Sequence, residues 1–166
     1  MDQPEQPNAT TNDAPSPPPK RPRIFRTLLL ILLAAVIVIQ FIPVDRTNPA
    51  VTGAITAPPD VAAILKRSCY DCHSNETVWP WYSYVAPASW LVVEDVHEGR
   101  EHLNFSTWQS YDAQQQADLR REAWEEVEHG DMPLGNYLTM HSKAKLTEYD
   151  QTLIREWAEG TGNNDR

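Results

Sequence analysis

The chain has 166 residues, with 14 Lys and Arg against 23 Asp and Glu, a net charge of −9 and two cysteines. That length suits one compact domain with accessories and hardly two domains. The acidity argues against nucleic-acid binding, which requires a basic surface.

Residues 1–19 hold three acids, no basic side chain and a dense set of prolines ending in Pro17-Pro18-Pro19. Such a segment cannot bury enough apolar surface to offset its chain entropy, so residues 1–23 are expected to be a disordered tail. Lys20, Arg21, Arg23 and Arg26 follow, then the run from Thr27 to Ile42 (TLLLILLAAVIVIQFI). The 19 residues from Ile24 to Ile42 span about 28 Å as a helix at roughly 1.5 Å per residue, close to a hydrocarbon core of about 30 Å. Residues 24–43 therefore predict a single transmembrane anchor. All four basic residues lie on its N-terminal side, which places the N-terminus in the cytoplasm and the rest outside. A cleaved signal peptide would have a shorter apolar core and a nearby small-x-small site. Here Pro43-Val44-Asp45-Arg46 follows instead. Residues 44–57 then read as a linker, residues 58–160 as the functional domain and residues 161–166 as a disordered end. Past residue 43, acids outnumber Lys and Arg by 20 to 10, a charge that fits a basic protein partner met by electrostatic steering or simply solubility.

After Pro58-Pro59-Asp60, the residues Val61, Ile64, Leu65 and Ser68 recur at i, i+3, i+4 and i+7, an amphipathic helix running into Cys69. Cys69-Tyr70-Asp71-Cys72-His73 is then C-x-x-C-H, the attachment pattern of c-type haem. Two thiols three positions apart on one turn can each form a thioether with a haem vinyl group, and the same turn presents the adjacent imidazole to the iron. Three alternatives compete. A redox C-x-x-C expects a βαβ context, and none is visible over residues 50–90. A zinc site needs four ligands and lacks a second cysteine pair, although His97, His102, His129 and His141 could contribute. A disulfide closing so short a loop would constrain little.

The stretch Trp79-Pro80-Trp81-Tyr82-Ser83-Tyr84 is too aromatic for an exposed loop. Trp79, Trp81 and Tyr82 are expected to wall a haem crevice or, equally, to form plain core. Arg100 is a weaker candidate for a propionate partner. Helices are expected over Pro87–Glu98, stopping at Gly99; over Asp112–His129, with Leu119, Ala123 and Val127 inward and Gly130 as the stop; and over Thr147–Glu159, capped by Thr147 with Asp150 three residues on. No strand-like alternation is present, so the fold class is all-α.

A six-coordinate iron needs a second ligand, usually Met or His. Met132 is preferred, because Gly130-Asp131-Met132-Pro133 breaks a helix and the proline restrains the backbone that holds a soft, weak ligand. His141, beside Met140, is the runner-up; His97 and His102 lie in a charged stretch and read as surface or hydrogen-bonding residues.

The stretches CYDCHSNETVWPWYSYVAPASW, EGREHLNFSTW and HGDMPLGNYLTMHSKAKLT resemble the small haem-binding domain family of bacterial envelope proteins over roughly 100 residues, from Cys69 to Trp157. The resemblance implies a haem-binding, cytochrome c-like helical domain behind an N-terminal membrane segment. It puts the family's haem motif on Cys69, Cys72 and His73 and its Met-Pro on Met132 and Pro133. The function expected is that of a membrane-anchored carrier of one covalent haem c, exchanging single electrons with a redox protein outside the cytoplasmic membrane. A haem-based sensor with a displaceable distal ligand is the alternative. A peroxidase ranks below both, because the sequence places no distal His–Arg pair, and the chain is not expected to be an enzyme.

Overall fold

A computed structural model of the chain describes residues 23–161. The expected tail (1–23) lies outside the described residues except for Arg23, and the expected C-terminal end (161–166) except for Thr161. Every regular element among the described residues is helical, as the absence of alternation predicts. The chain divides after Val38 into two units.

The first unit holds α1 (Arg23–Ile39), a 17-residue helix that buries no side chain. No helix among the described residues is long and apolar enough to cross a membrane. α1 is shorter than the apolar run for a local reason. Pro43 disfavours helical backbone at Ile42, and the Gln40 carboxamide donates to Ala86 O (3.1 Å) and accepts from Ala86 N (2.9 Å).

The second unit contains α2 (Pro59–Ser68), α3 (Tyr70–His73), α4 (Ala88–His102), α5 (Ala113–His129), α6 (Gly135–Met140) and α7 (Glu148–Ala158). α2 opens on a proline where the backbone N–H would have no helical partner. It buries the four residues its spacing singles out, Val61, Ile64, Leu65 and Ser68. α5 begins at a capping box between Asp112 and Gln115 and ends where Gly130 takes φ +82°, a left-handed conformation that glycine adopts without penalty. α7 begins at a second capping box, Thr147 with Asp150. α5 packs on α7, α7 on α2, and α3 on α4. The main core joins Val61 and Leu65 of α2 to Leu103, Phe105, Trp108 and Trp157.

The segment expected to be a linker, residues 44–57, is instead part of this unit. Thr52 N and Gly53 N donate to Ser106 O, Ile55 N donates to Phe105 O, and Ile55 and Ala57 pack on the main core. Asn48 Nδ2 also donates to Thr77 O and Arg46 Nη1 to Ser83 O, so the segment is held by isolated long-range bonds that leave no periodic spacing.

Candidate functional site: a cavity at the C-x-x-C-H turn

Cys69 closes α2 and α3 is the motif itself, so the two thiols and the imidazole ride on one short turn. Cys69 O accepts from Cys72 N (3.2 Å) and His73 N (2.9 Å), which fixes that turn. The turn opens onto a cavity of about 570 Å³, within the roughly 300–1,000 Å³ usual for cofactor sites. Cys69, Cys72, His73 and Met132 all line it. Its apolar wall includes Leu65, Phe105, Leu119, Val127, Ile154 and Trp157.

His73 has a fixed tautomer. Its Nδ1 lies 2.8 Å from Gly99 O and 3.1 Å from Leu103 O. Carbonyls only accept, so Nδ1 carries the proton and Nε2 keeps a free lone pair. Burial pulls the imidazole below its ordinary pKa, against the opposing pull of those two carbonyls, so the ring is neutral and able to ligate. Burial also pushes both thiols up to about 12. Redox-active C-x-x-C thiols sit well below the free-cysteine value, so this pair has the wrong electrostatics for a dithiol switch. The two thiols are not joined to each other.

Gly99 is the residue that sequence reasoning read for the wrong role. Expected as a helix stop, it lies inside α4, which runs three residues further. A Cβ there would fall 2.9 Å from Cys72 O and 3.1 Å from Cys72 Cβ. Only glycine lets α4 lie against the motif closely enough for the Gly99 carbonyl to reach His73. Gly99→Ala should cost the fold about 2–3 kcal/mol by overpacking, read from urea denaturation, and should lower the yield of haem-loaded chain.

Met132 is held from α5. Its backbone N and that of Asp131 both donate to Glu126 O, at 3.1 and 3.0 Å, and its side chain packs on the cluster of Ile64, Val127 and Ile154. The Met132–Pro133 bond is cis. His141 does not line the cavity. It stacks on Tyr137 (centroids 4.1 Å, 15°), with Nδ1 donating to Tyr137 O at 3.2 Å.

The other pocket residues expected from sequence fall outside the lining. Arg100 is spent on tying the segment before the motif to the loop after it: Nε donates to Ser74 O, Nη1 to Thr47 O, and Nη2 to Asn48 Oδ1 and Thr77 Oγ1. Trp81 is 72 % exposed, and in its 3₁₀ turn (Trp81–Tyr84) the inward residue is Ser83, bonded to Pro80 O at 2.7 Å. Trp79 is half-buried with its indole N–H lacking a partner. Tyr82 has its hydroxyl 3.5 Å from His141 Nδ1.

Two lining features had no sequence signal. Tyr137 lines the cavity and donates to Asp71 Oδ2 at 2.8 Å; burial and that carboxylate push its phenol up, so it stays a donor. The remaining polar lining is acidic: Asp71, Asp95, Glu98, Glu122, Glu125 and Glu126, with His102 as the one base besides His73. Burial and then Glu98 push the Asp95 carboxyl up. Among the described residues no three His, Cys, Asp or Glu side chains are placed to hold a bare metal ion, so the zinc alternative has no ligand set there.

The haem-binding domain family matches residues 34–160. The chain belongs to that family. No curated protein and no solved structure matches it. The residues of this haem-binding domain fit the cofactor on their own chemistry. The cavity has cofactor size and an apolar wall, and it presents a neutral imidazole with a free Nε2 beside two thiols of one turn. Ser68 adds a buried hydroxyl on the wall with no hydrogen-bond partner, a place for a polar cofactor substituent.

Proposed function

We propose that this haem-binding domain is a c-type cytochrome-like electron carrier. One haem is attached through Cys69 and Cys72, with His73 as proximal ligand and Met132 as distal ligand. The observation that carries the reading is the Nδ1–H of His73 held by Gly99 O and Leu103 O beside the two thiols. Such a bond orients a ligating imidazole and raises its basicity. Bound there, the iron would supply one-electron exchange. The chain's own part is positional. α3 fixes the thiols and imidazole on one turn, the end of α5 holds Met132, and the apolar wall keeps water from the site.

A carrier is favoured over an enzyme because a peroxidase site uses a His–Arg pair over the metal, and no arginine lines this cavity among the described residues. The acidic rim supports a basic redox partner, since complementary charge speeds encounter and fixes register. For location, we read α1 with the rest of the apolar run as an anchor in the cytoplasmic membrane. Its apolar side chains are exposed along the helix, its basic residues lie on the N-terminal side, and 17 residues rise about 26 Å at roughly 1.5 Å each. The haem domain would then stand outside the cytoplasm.

The test is the visible spectrum of full-length protein purified from a host with c-type maturation machinery. A six-coordinate, low-spin haem supports the carrier. High-spin iron open to added ligands would favour the sensor reading. Met132→Ala should abolish the Met–iron signature and shift the reduction potential; if it changes neither, Met132 is not the ligand.

A further inference from the structure

The chain that follows Met132 is tied back to the motif turn, and resting on the reading above, we propose that Tyr137 is a positioning residue that holds the Met132 segment at the cofactor. α6 is six residues long and packs on the adjoining 3₁₀ turn Ser142–Ala144. One side-chain bond carries it to the motif turn: Tyr137 OH donates to Asp71 Oδ2 at 2.8 Å.

The acceptor is itself fixed. Asp71 lies between the two cysteines, and its Oδ1 accepts from Val78 N at 3.1 Å. The donor is fixed as well, because His141 stacks on the Tyr137 ring. The segment that carries Met132 is thus pinned at one end by Asp131 N and Met132 N on Glu126 O, and at the other by the Tyr137–Asp71 bond. Between the pins lie Pro133, Leu134, Gly135 and Asn136.

A thioether is a weak ligand whose hold depends on where its backbone sits. Removing one pin should therefore loosen Met132 without detaching the haem, since neither thiol nor imidazole is touched.

The experiment compares Tyr137→Phe, Asp71→Ala and Met132→Ala with the parent as full-length, haem-loaded proteins. It follows the Met–iron band of the oxidised form and the affinity for added imidazole, a small ligand that competes with the thioether. Tyr137→Phe and Asp71→Ala should each raise imidazole affinity about tenfold, the scale of one lost charge-assisted hydrogen bond. They should weaken the Met–iron band while leaving the haem covalently attached. A merely structural role would lower the melting temperature without moving band or affinity. Unchanged imidazole affinity in both variants, with Met132→Ala raising it, overturns this inference alone. No change in Met132→Ala overturns the ligand assignment and this inference with it. If Tyr137→Phe does not fold, Asp71→Ala carries the same test from the acceptor's side.

Discussion

Full-length protein with Cys69 and Cys72 both replaced by alanine should release all of its haem on denaturation, where the parent should release none. The expectation follows from chemistry that the chain offers nowhere else. These are its two cysteines, they lie on one turn at the cavity, and burial holds both thiols protonated up to about 12. A thiol that is not ionised at neutral pH is a poor redox group and a poor ligand for a bare metal. Under the reading proposed above, each thiol would instead form one thioether to the haem. Each single variant should keep the haem through one thioether. Each sulfur removed should cost the fold only about 1 kcal/mol on buried-area grounds, so failure to fold is not the expected reason for haem loss. Extraction into acidified organic solvent separates the outcomes. Haem that leaves the parent as readily as the double variant would contradict the assignment.

Asp150→Asn should destabilise the domain by about 2–3 kcal/mol, the scale of losing charge-assisted hydrogen bonds to a carboxylate. Asp150 Oδ2 accepts from Thr147 N, Thr147 Oγ1 and Arg67 Nη2, each at 2.8 Å. It therefore caps α7 and ties it to α2, the helix that leads into the C-x-x-C-H turn. Burial alone would raise this carboxyl. The bonds from Thr147 and Arg67 outweigh it and hold Asp150 below the ordinary carboxylate range. Arg67 is 40 % exposed at its side chain, so its share is screened by solvent. The sign of the pH dependence follows. A depressed folded-state pKa stabilises fully above the unfolded value of about 4, and that contribution is lost as pH falls through the folded-state value. Urea midpoints taken from pH 6 down to pH 3 should fall for the parent and fall less for Asp150→Asn. Parallel curves would contradict the assignment.

The parts of the fold that were legible from sequence are those in which one helix acts alone. Val61, Ile64, Leu65 and Ser68 mark the buried face of α2 by spacing, and Asp112, Gly130 and Thr147 mark helix ends by cap chemistry. The motif turn is legible for the same reason, since its chemistry sits within five consecutive residues. What was not legible depends on two elements meeting. Gly99 reads as a helix stop in isolation, and its role appears only when α4 lies on Cys72. Residues 44–57 are held by scattered bonds to distant residues, which no local spacing announces. The bond from Tyr137 to Asp71 links positions 66 residues apart. The aromatic run after the motif misleads because ring count says nothing of direction: the inward residue of its 3₁₀ turn is Ser83, and Trp81 faces solvent.

The acidic rim gives the cavity a sign as well as a shape. Six carboxylates line it, and the bases among the lining residues are His73 and His102. If the partner proposed above is basic, its association with this domain should slow steeply with added salt.

The most direct test of covalent haem at Cys69 and Cys72 is the intact mass of the denatured full-length chain, purified from a host that matures c-type haem. The expected mass is that of the chain plus one haem, unchanged by denaturant and reductant. A bare-chain mass, with haem absent or released on denaturation, would contradict it.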